Sequence, residues 1–416
     1  VDINSAFLHG NLQETIYMTQ PPGFVSFDKH KVCKLLKALY GLKQAPRSWF
    51  HKLSMTLRSL GFNSAKSDTA LFMRFTPTSK TYVLVYVDDI IITSSSSSEI
   101  ISLIAHLNNK FSLKDLGPLH YFLGIEVQHH SDGGILLSQS KYIRDLLHKT
   151  NLLDSKPQPT PMVSGLKLTA DGSFSVQDPT HYRSIVGALQ YITVTRPEIS
   201  FSVNKVCQFM HKPQEHHWRA VKRILRYLQG SITYGLHIKP SQQLHIMGFC
   251  DSDWGSDPDD RKSTTGYCVY LGPNLVSWSS KKQVVVSRSS TEAEYRGLAA
   301  VTADILWLQN LLKELRVPVA LPRIYCDNLG AVHLTANPVM HSRTKHFELD
   351  LHFVRDKVLS RELVVIHLPA EFQVADILTK AISNPQFTTF RSKLKVSSAS
   401  TMSLKGGVKG ICQTGS

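Results

Sequence analysis

The chain has 416 residues, 42% of them hydrophobic, which is enough for two to four folded domains and excludes an intrinsically disordered protein. Lysine and arginine outnumber aspartate and glutamate by 47 to 32, and the resulting charge of +15 favours a polyanionic partner, most simply nucleic acid. No apolar run reaches the length of a bilayer span, which argues against a membrane partner, and the six cysteines are scattered without a CxxC pair.

The first part of the chain mixes predicted strands and helices. After Pro46, apolar residues recur at helical spacing and predict a helix with one core-facing stripe. The stripe consists of Trp49, Phe50, Leu53, Leu57 and Leu60. A serine run at Ser94–Ser98 predicts a loop before a second helix, which we expect around Ile100–Phe111.

Two adjacent acids, Asp88 and Asp89, lie inside the apolar, β-branched stretch Thr81–Thr93. This pattern predicts two short strands joined in a hairpin at the carboxylates. Two like charges held together at a hairpin tip are typical of a divalent-cation site. A solvated turn is an equally good interpretation of these two residues alone, because aspartate is a common turn residue.

The middle of the chain is predicted to be largely helical and is interrupted by a proline-rich linker at Lys156–Pro161. Within it, His216–Leu228 predicts an amphipathic helix with a basic side that could follow a nucleic-acid backbone. That side carries Arg219, Lys222, Arg223 and Arg226. An ordinary solvated helix face explains the same pattern equally well.

A separate α/β unit is predicted in the last third of the chain. Strands are expected at 244–250, 264–271, 274–279, 322–327 and 363–368. A long helix is expected from Thr291 to Leu315, helical stretches within 328–358, and a last helix near Gln373. A histidine pair at His341 and His346 lacks further ligands, so we do not interpret it as a metal site.

Four carboxylates of this unit come from separate segments. Asp251 and Asp327 end predicted strands, and Asp376 begins a predicted helix. Stepping back along the apolar stripe of the long helix reaches Glu294 and not Glu292, so Glu294 is expected on the buried side. A capping box at Thr291–Glu294 is the alternative role of that glutamate.

A cluster of such carboxylates is typical of a site for two divalent cations, which activate water and stabilise the leaving oxygen of a phosphodiester. Hard oxygen ligands favour Mg²⁺ or Mn²⁺. Asp253 also lies on the face of Asp251 by strand alternation.

The chain resembles the reverse transcriptase–RNase H region of copia-type retrotransposon Pol polyproteins, from Val1 to about Leu394. The resemblance rests on ten long motifs in the expected order. They are Val1–Leu8, Leu39–Arg47, Tyr86–Asp89, Lys114–Gly117, His120–Gly124, Ser184–Tyr191, Cys250–Trp254, Ser289–Tyr295, Tyr325–Asn328 and Val374–Lys380.

The resemblance implies a role for each matching residue. Asp2, Asp88 and Asp89 match the polymerase carboxylates, which would hold two Mg²⁺ ions over the primer end and the incoming triphosphate. Phe7 matches the aromatic gate that favours dNTPs, and the loop with Tyr40, Gly41 and Lys43 matches the segment that packs on template and nucleotide. The RNase H quartet is matched by Asp251, Glu294, Asp327 and Asp376, and Asp253 falls outside it.

The fold implied is α/β, with an α+β polymerase palm followed by a mixed-sheet RNase H-like domain. We expect the palm at 1–130, a thumb and connection at 131–240, the RNase H-like domain at 241–381 and a flexible basic, serine-rich tail at 382–416. The family's fingers segment before Asp2 is expected to be missing, so the chain is expected to be a piece of a longer polypeptide.

The implied function is RNA-directed DNA synthesis with cleavage of the RNA strand of RNA–DNA hybrids. The implied partners are RNA template, DNA primer, RNA–DNA hybrid, dNTPs and other Pol products. Two alternatives remain open: a fragment with RNase H activity alone, and a non-catalytic nucleic-acid-binding relic.

Overall fold

A computed structural model describes residues 1–28, 30–336 and 347–398. The chain forms two compact units: unit 1 comprises Val1–Leu119 with Asn310–Val317, and unit 2 comprises His120–Gln309 and the chain from Pro318 onward. The described ranges contain no helix long and apolar enough to cross a bilayer. His341 and His346, and residues 399–416 of the predicted tail, lie outside the described residues.

The described part of unit 1 contains a six-stranded sheet, a two-stranded ribbon and two α-helices. Its strands are β1 (Asp2–Ile3), β2 (Tyr17–Thr19), β3 (Val32–Lys34), β4 (Asn63–Ser64), β5 (Leu71–Phe75), β6 (Lys80–Tyr86), β7 (Asp89–Ser94) and β8 (Leu113–Lys114). Its helices are α1 (Ala45–Ser59) and α2 (Ser97–Lys110). The sheet order is β4-β5-β6-β7-β1-β8, and β2 and β3 form a separate ribbon.

The apolar stripe of α1 is confirmed as a core face. Trp49, Leu53 and Leu57 are fully buried and pack in one cluster with Leu103 and Leu107 of α2. Proline at the first turn of α1 costs no hydrogen bond, because the first amides of a helix have no partner within it. The two helices therefore cover the sheet that holds the predicted Asp88–Asp89 hairpin.

Unit 2 contains the remaining elements. Its strands are β9 (Tyr121–Phe122), β10 (Ile125–His129), β11 (Ile135–Ser138), β12 (Tyr234–Ile238), β13 (His245–Asp253), β14 (Thr264–Leu271), β15 (Asn274–Lys282), β16 (Ala320–Cys326), β17 (Val364–His367) and β18 (Val396–Ser398). Its helices are α3 (Ser140–Lys149), α4 (Pro179–Ile192), α5 (Ser200–Cys207), α6 (Glu215–Gln229), α7 (Ser290–Glu314), α8 (Leu329–Ala336), α9 (Glu348–Leu359) and α10 (Asn384–Lys393).

Two five-stranded sheets divide unit 2. One has the order β18-β12-β11-β10-β9 and is antiparallel throughout, and the other has the order β15-β14-β13-β16-β17. In the second sheet β13 pairs antiparallel with β14 but parallel with β16, and β16 pairs parallel with β17. All five strands predicted here are present with shifts of a few residues at their ends, and the α/β fold class is confirmed.

One hydrophobic core crosses the predicted boundary at residue 240. It contains buried residues of α4 and α6, such as Leu189 and Leu225, together with Cys268 and Tyr270 of β14. The predicted thumb and connection and the predicted RNase H-like domain therefore share a core, as parts of one compact unit.

The start of the predicted tail is ordered, contrary to expectation. Helix α10 buries Phe387 and Phe390, and β18 pairs with β12 through Leu236 and Val396. The segment 382–398 is rich in serine and lysine, and this composition led to the prediction of a flexible tail despite its few buried apolar residues. The prediction of a flexible segment is therefore wrong for residues 382–398.

Candidate active sites

The sheet of unit 2 brings Asp251 and Asp327 together. Phe249 of β13 is paired with Tyr325 of the parallel strand β16, so the residues two positions further on, Asp251 and Asp327, leave the same end of neighbouring strands. Asp251 is only 3% exposed. Two acids from sequence-distant segments thus share one sheet edge.

Helix α7 contributes Glu294, which is 6% exposed. Its Oε1 accepts a hydrogen bond from the backbone N–H of Ser252 at 3.1 Å, which fixes the carboxylate beside β13. Burial raises the pKa of Glu294 well above its usual value, and the negative charge of Asp251 adds to the shift. Glu294 therefore faces the strand-end acids as predicted, but burial does not separate it from Glu292, which is only 1% exposed.

The capping role falls to Glu292 and not to Glu294. The N–H of Glu292 donates to Ser289 Oγ at 3.2 Å, while Glu292 Oε2 accepts from the N–H of Arg288 at 2.7 Å. Glu292 also forms an ion pair with Arg296 at 2.9 Å. The predicted alternative, a capping box at Thr291–Glu294, is therefore replaced by a cap two residues earlier.

Asp376 lies in a 3-10 helix at Val374–Leu378 that packs closely on the sheet. Gln373 anchors the start of this helix, since its Nε2 donates to the carbonyl oxygen of Cys250 at 2.9 Å. A Cβ at Gly266 of β14 would lie 2.7 Å from the Cβ of Leu378, so only glycine permits this approach. Glycine at 266 thus allows the segment that carries Asp376 to approach the sheet that carries Asp251.

The acids meet closely enough to share a cation. One ligand oxygen from each of Asp251, Asp327 and Asp376 lies within 4.8 Å of the others, and Glu294 forms a second such group with Cys326 and Asp327. Burial, reinforced by Asp251, raises the pKa of Asp376 to about 7, and burial also raises the pKa of Asp327. The hard oxygen donors of these acids fit Mg²⁺ or Mn²⁺, and a bound cation would favour their ionised form.

Two neighbours of this cluster were missed by the sequence analysis. Thr379 Oγ1 donates a hydrogen bond to Asp251 Oδ2. Lys380 Nζ lies 3.0 Å from Asp376 Oδ1 and 3.6 Å from Asp251 Oδ2. Both residues belong to the Val374–Lys380 motif, and their spacing of three and four from Asp376 was the available signal.

Asp253 plays a structural role in this arrangement. Its carboxylate accepts hydrogen bonds from Ser256 Oγ and from the backbone N–H of Thr264. Burial raises its pKa to about 6. Asp253 is absent from both ligand groups, in keeping with its expected place outside the quartet.

In unit 1, the acids Asp2, Asp88 and Asp89 lie next to one another, where β1 pairs with the start of β7. Asp2 of β1 is paired with Asp89 of β7, and the N–H of Ile3 donates to the carbonyl oxygen of Asp88 at 3.0 Å. Burial raises the pKa of Asp89, and the charges of Asp88 and Asp2 raise it further. The three acids therefore interact, but within the described ranges both ligand groups with a 4.8 Å spacing belong to unit 2.

The turn of the hairpin is strained. Val87 has φ +55°, a left-handed conformation that is rare for a β-branched residue. Trp49 holds the turn in place, because its Nε1 donates to the Val87 carbonyl oxygen at 2.6 Å. Such an outlier beside two acids is typical of a functional site.

The predicted nucleotide-contact residues of unit 1 are partly brought together. The rings of Phe7 and Tyr40 are in contact, with centroids 4.5 Å apart, and Tyr40 remains 58% exposed. Gly41 has φ +94°, as a tight turn requires, and Lys43 is exposed. The loop thus carries an exposed tyrosine and an exposed lysine, and Phe7 packs against its tyrosine.

The basic side of α6 is largely engaged in intramolecular contacts. Arg223 donates to Gln158 and Thr160 at 3.0 and 2.9 Å, and Arg226 Nε donates to the carbonyl oxygen of Lys156 at 2.7 Å. Arg219 is exposed and Lys222 is half-buried. Two of the four predicted nucleic-acid contacts therefore hold the proline-rich linker.

Comparison with known proteins identifies the family of this chain. Residues 1–164 match the family model described as reverse transcriptase (RNA-dependent DNA polymerase). The chain is 49% identical, over 95% of its length, to the retrovirus-related Pol polyprotein from transposon RE1 of Arabidopsis thaliana, and it spans 27% of that protein.

A shorter relative is covered almost completely. The putative transposon Ty5-1 protein of Saccharomyces cerevisiae is 35% identical over 71% of this chain and 97% of its own length. Among solved structures, a ribonuclease H1 isolated from compost aligns with 35% of this chain and 98% of its own, at 17% identity and a TM-score of 0.27. The family model and the two transposon relatives agree, and the chain belongs to the copia-type retrotransposon Pol polyproteins, within their reverse transcriptase–RNase H region.

Proposed function

We propose that unit 2 is a ribonuclease H that hydrolyses the RNA strand of an RNA–DNA hybrid. The convergence of Asp251, Glu294, Asp327 and Asp376 from four segments carries this proposal. Buried acids that repel one another are costly unless a cation joins them. A basic chain of net charge +15 supports a nucleic-acid substrate.

These four carboxylates would hold the divalent cations, Mg²⁺ or Mn²⁺. When bound, such ions supply activation of water and stabilisation of the leaving oxygen of a phosphodiester. The chain itself fixes the ligands: the Ser252 N–H orients Glu294, and Thr379 orients Asp251. Preorganised ligands of this kind lower the reorganisation that a reaction requires.

The test is cleavage of a labelled RNA–DNA hybrid by the purified full chain with Mg²⁺, and with EDTA in its place. We expect cleavage of the RNA strand only, and none with EDTA. Duplex DNA and duplex RNA of the same sequence serve as controls. Equal cleavage of duplex RNA, or no cleavage of any substrate, would contradict the proposal.

A second activity, RNA-directed DNA synthesis, is proposed for unit 1. It is favoured by the pairing of Asp2 with Asp89, the position of Asp88 in the adjoining turn, and the contact between Phe7 and Tyr40. In this proposal the three acids would hold Mg²⁺, and Phe7, Tyr40, Gly41 and Lys43 would contact the incoming dNTP. Template RNA and primer DNA are then the remaining substrates.

Primer extension on an RNA template separates the alternatives. Incorporation of dNTPs that is lost in Asp88→Asn supports the polymerase. Hybrid cleavage without incorporation would instead favour a fragment with RNase H activity alone. A non-catalytic nucleic-acid-binding relic predicts that Asp327→Asn changes neither measurement.

A further inference from the structure

Lys380 is positioned inside the carboxylate cluster of unit 2. Its ammonium contacts Asp376 at 3.0 Å and Asp251 at 3.6 Å. Both acids belong to the ligand group whose oxygens lie within 4.8 Å of one another. A divalent cation shared by these two carboxylates would need the same oxygens.

The cluster has little other positive charge. Within the part of the chain that the structure describes, Lys380 is the only lysine or arginine whose nitrogen lies within 4 Å of a carboxylate oxygen of Asp251, Glu294, Asp327 or Asp376. The hydrogen bonds from Ser252 and Thr379 orient two of the acids but bring no charge. The ammonium therefore compensates the repulsion among the acids when no metal is bound.

The backbone of Lys380 is fixed, whereas its side chain is partly open to solvent. Its N–H donates to the Asp376 carbonyl oxygen at 3.0 Å, so the main chain is part of the acid-bearing segment. The side chain nevertheless remains 46% exposed. A long, flexible side chain with access to solvent can leave the carboxylates without any change in the fold.

We infer that Lys380 is a displaceable counter-cation, whose ammonium neutralises Asp251 and Asp376 in the metal-free protein and competes with divalent cations for them. The inference rests on the proposed function, because it needs a metal at this cluster. Lys380 would affect metal binding only through its ion pairs with Asp251 and Asp376, so it is a positioning residue and not a catalytic one. It makes the metal-free site stable and lowers the affinity of that site for metal.

The first test measures Mn²⁺ binding to the full chain by electron paramagnetic resonance, with no nucleic acid present. Lys380→Met should bind Mn²⁺ at least about fivefold more tightly than the wild type, the lower end of typical coupling between two sites. Lys380→Arg keeps the charge and should remain close to the wild type.

Lys282→Met is the matched control. Lys282 also bridges two acids, Asp257 at 2.8 Å and Asp260 at 2.9 Å, but neither is a member of the ligand groups. Its removal should leave Mn²⁺ affinity unchanged. Lys380→Gln, which retains a hydrogen-bond donor for Asp376 without a charge, replaces Lys380→Met if that variant does not fold.

The second test compares thermal unfolding in EDTA and in saturating Mg²⁺. Lys380→Met should unfold at a lower temperature than the wild type in EDTA, and Mg²⁺ should close this gap. A lysine that only stabilises the fold would leave the same gap in both conditions, which would overturn the inference.

The outcomes distinguish this inference from the proposed function. Mn²⁺ affinity in Lys380→Met that equals or falls below that of the wild type would overturn the role of Lys380 and leave the ribonuclease proposal intact. If Mn²⁺ binds neither protein, or binds Asp251→Asn as tightly as the wild type, the metal site itself is contradicted and both proposals fail.

Discussion

Both units bring acidic side chains together, but the two sets of acids differ in their separation along the sequence and in their burial. In unit 1, two of the three acids are neighbours in sequence on an accessible hairpin, and one strand partner supplies the third. In unit 2, each acid comes from a different segment and is held in a largely buried cluster. The comparison shows that a local motif can bring charges together, whereas tertiary packing is needed to bury and orient them.

The difference has an electrostatic consequence. Burial is the leading cause of the raised pKa in both Asp89 and Asp376, and the pKa of Asp376 is raised to about 7. Asp376 is buried, whereas Asp2, Asp88 and Asp89 are half-buried, so the trio of unit 1 retains more contact with water.

The largest expected effect separates the two acid sets by activity. Asp251→Asn should lower the initial rate of hybrid cleavage by about 10²–10³-fold, because it removes a charge preorganised for the transition state. Asp253→Asn, a buried neighbour outside the cluster, should have a much smaller effect. A loss of cleavage in Asp88→Asn as large as in Asp251→Asn would break the proposed division of labour.

Substitution of Gly266 tests whether the close packing of the 3-10 helix on the sheet positions the acids of unit 2. Gly266→Ala should lower the free energy of unfolding by about 1–3 kcal/mol, because the new Cβ collides with Leu378. Gly187→Ala in α4, where a Cβ meets nothing within 4 Å, should raise stability by about 1 kcal/mol. Urea unfolding of both variants provides the measurement, and equal stability of the two would refute the packing argument.

Asp376 contributes to the pH dependence of stability. Its pKa is about 7 in the folded state, against about 3.9 for an unfolded chain. Between these values the folded state binds more protons, so metal-free stability should fall as the pH rises from about 4 to about 7 and then level off. Asp376→Asn should flatten this decline in thermal unfolding with EDTA, and an unchanged slope would contradict the assignment.

The smallest expected effect concerns the hairpin of unit 1. Val87→Asn should stabilise the turn by about 1 kcal/mol, since asparagine tolerates the left-handed conformation that costs valine energy. Amide hydrogen exchange over residues 80–94 should slow accordingly. Val25→Asn, at an exposed loop position with ordinary backbone geometry, is the control and should leave exchange there unchanged.

Patterns local in sequence predicted much of this molecule. Alternation and turn chemistry located β6, β7 and the strands of the second sheet, and helical spacing selected Glu294 over Glu292. Spacing places Thr379 and Lys380 near Asp376, but sequence could not reveal that both also turn toward Asp251, because their orientation depends on the close contact of the 3-10 helix with Gly266.

The same limit explains the remaining differences. The basic side of α6 looked open because the linker that Arg223 and Arg226 bind lies more than 60 residues earlier in the chain. The order of 382–398 depends on Phe387, Phe390 and Val396, which are too few to form a periodic pattern in a polar segment.

The pairing of β18 with β12 has a consequence for the folding of the protein during its synthesis. Strand β12 is synthesised long before its partner, and until Val396–Ser398 emerge from the ribosome one edge of its sheet stays open. An unpaired edge invites association with other chains. Strand β18 therefore closes this edge of the sheet, and a ribosome that stalls before residue 396 would release a chain prone to aggregate.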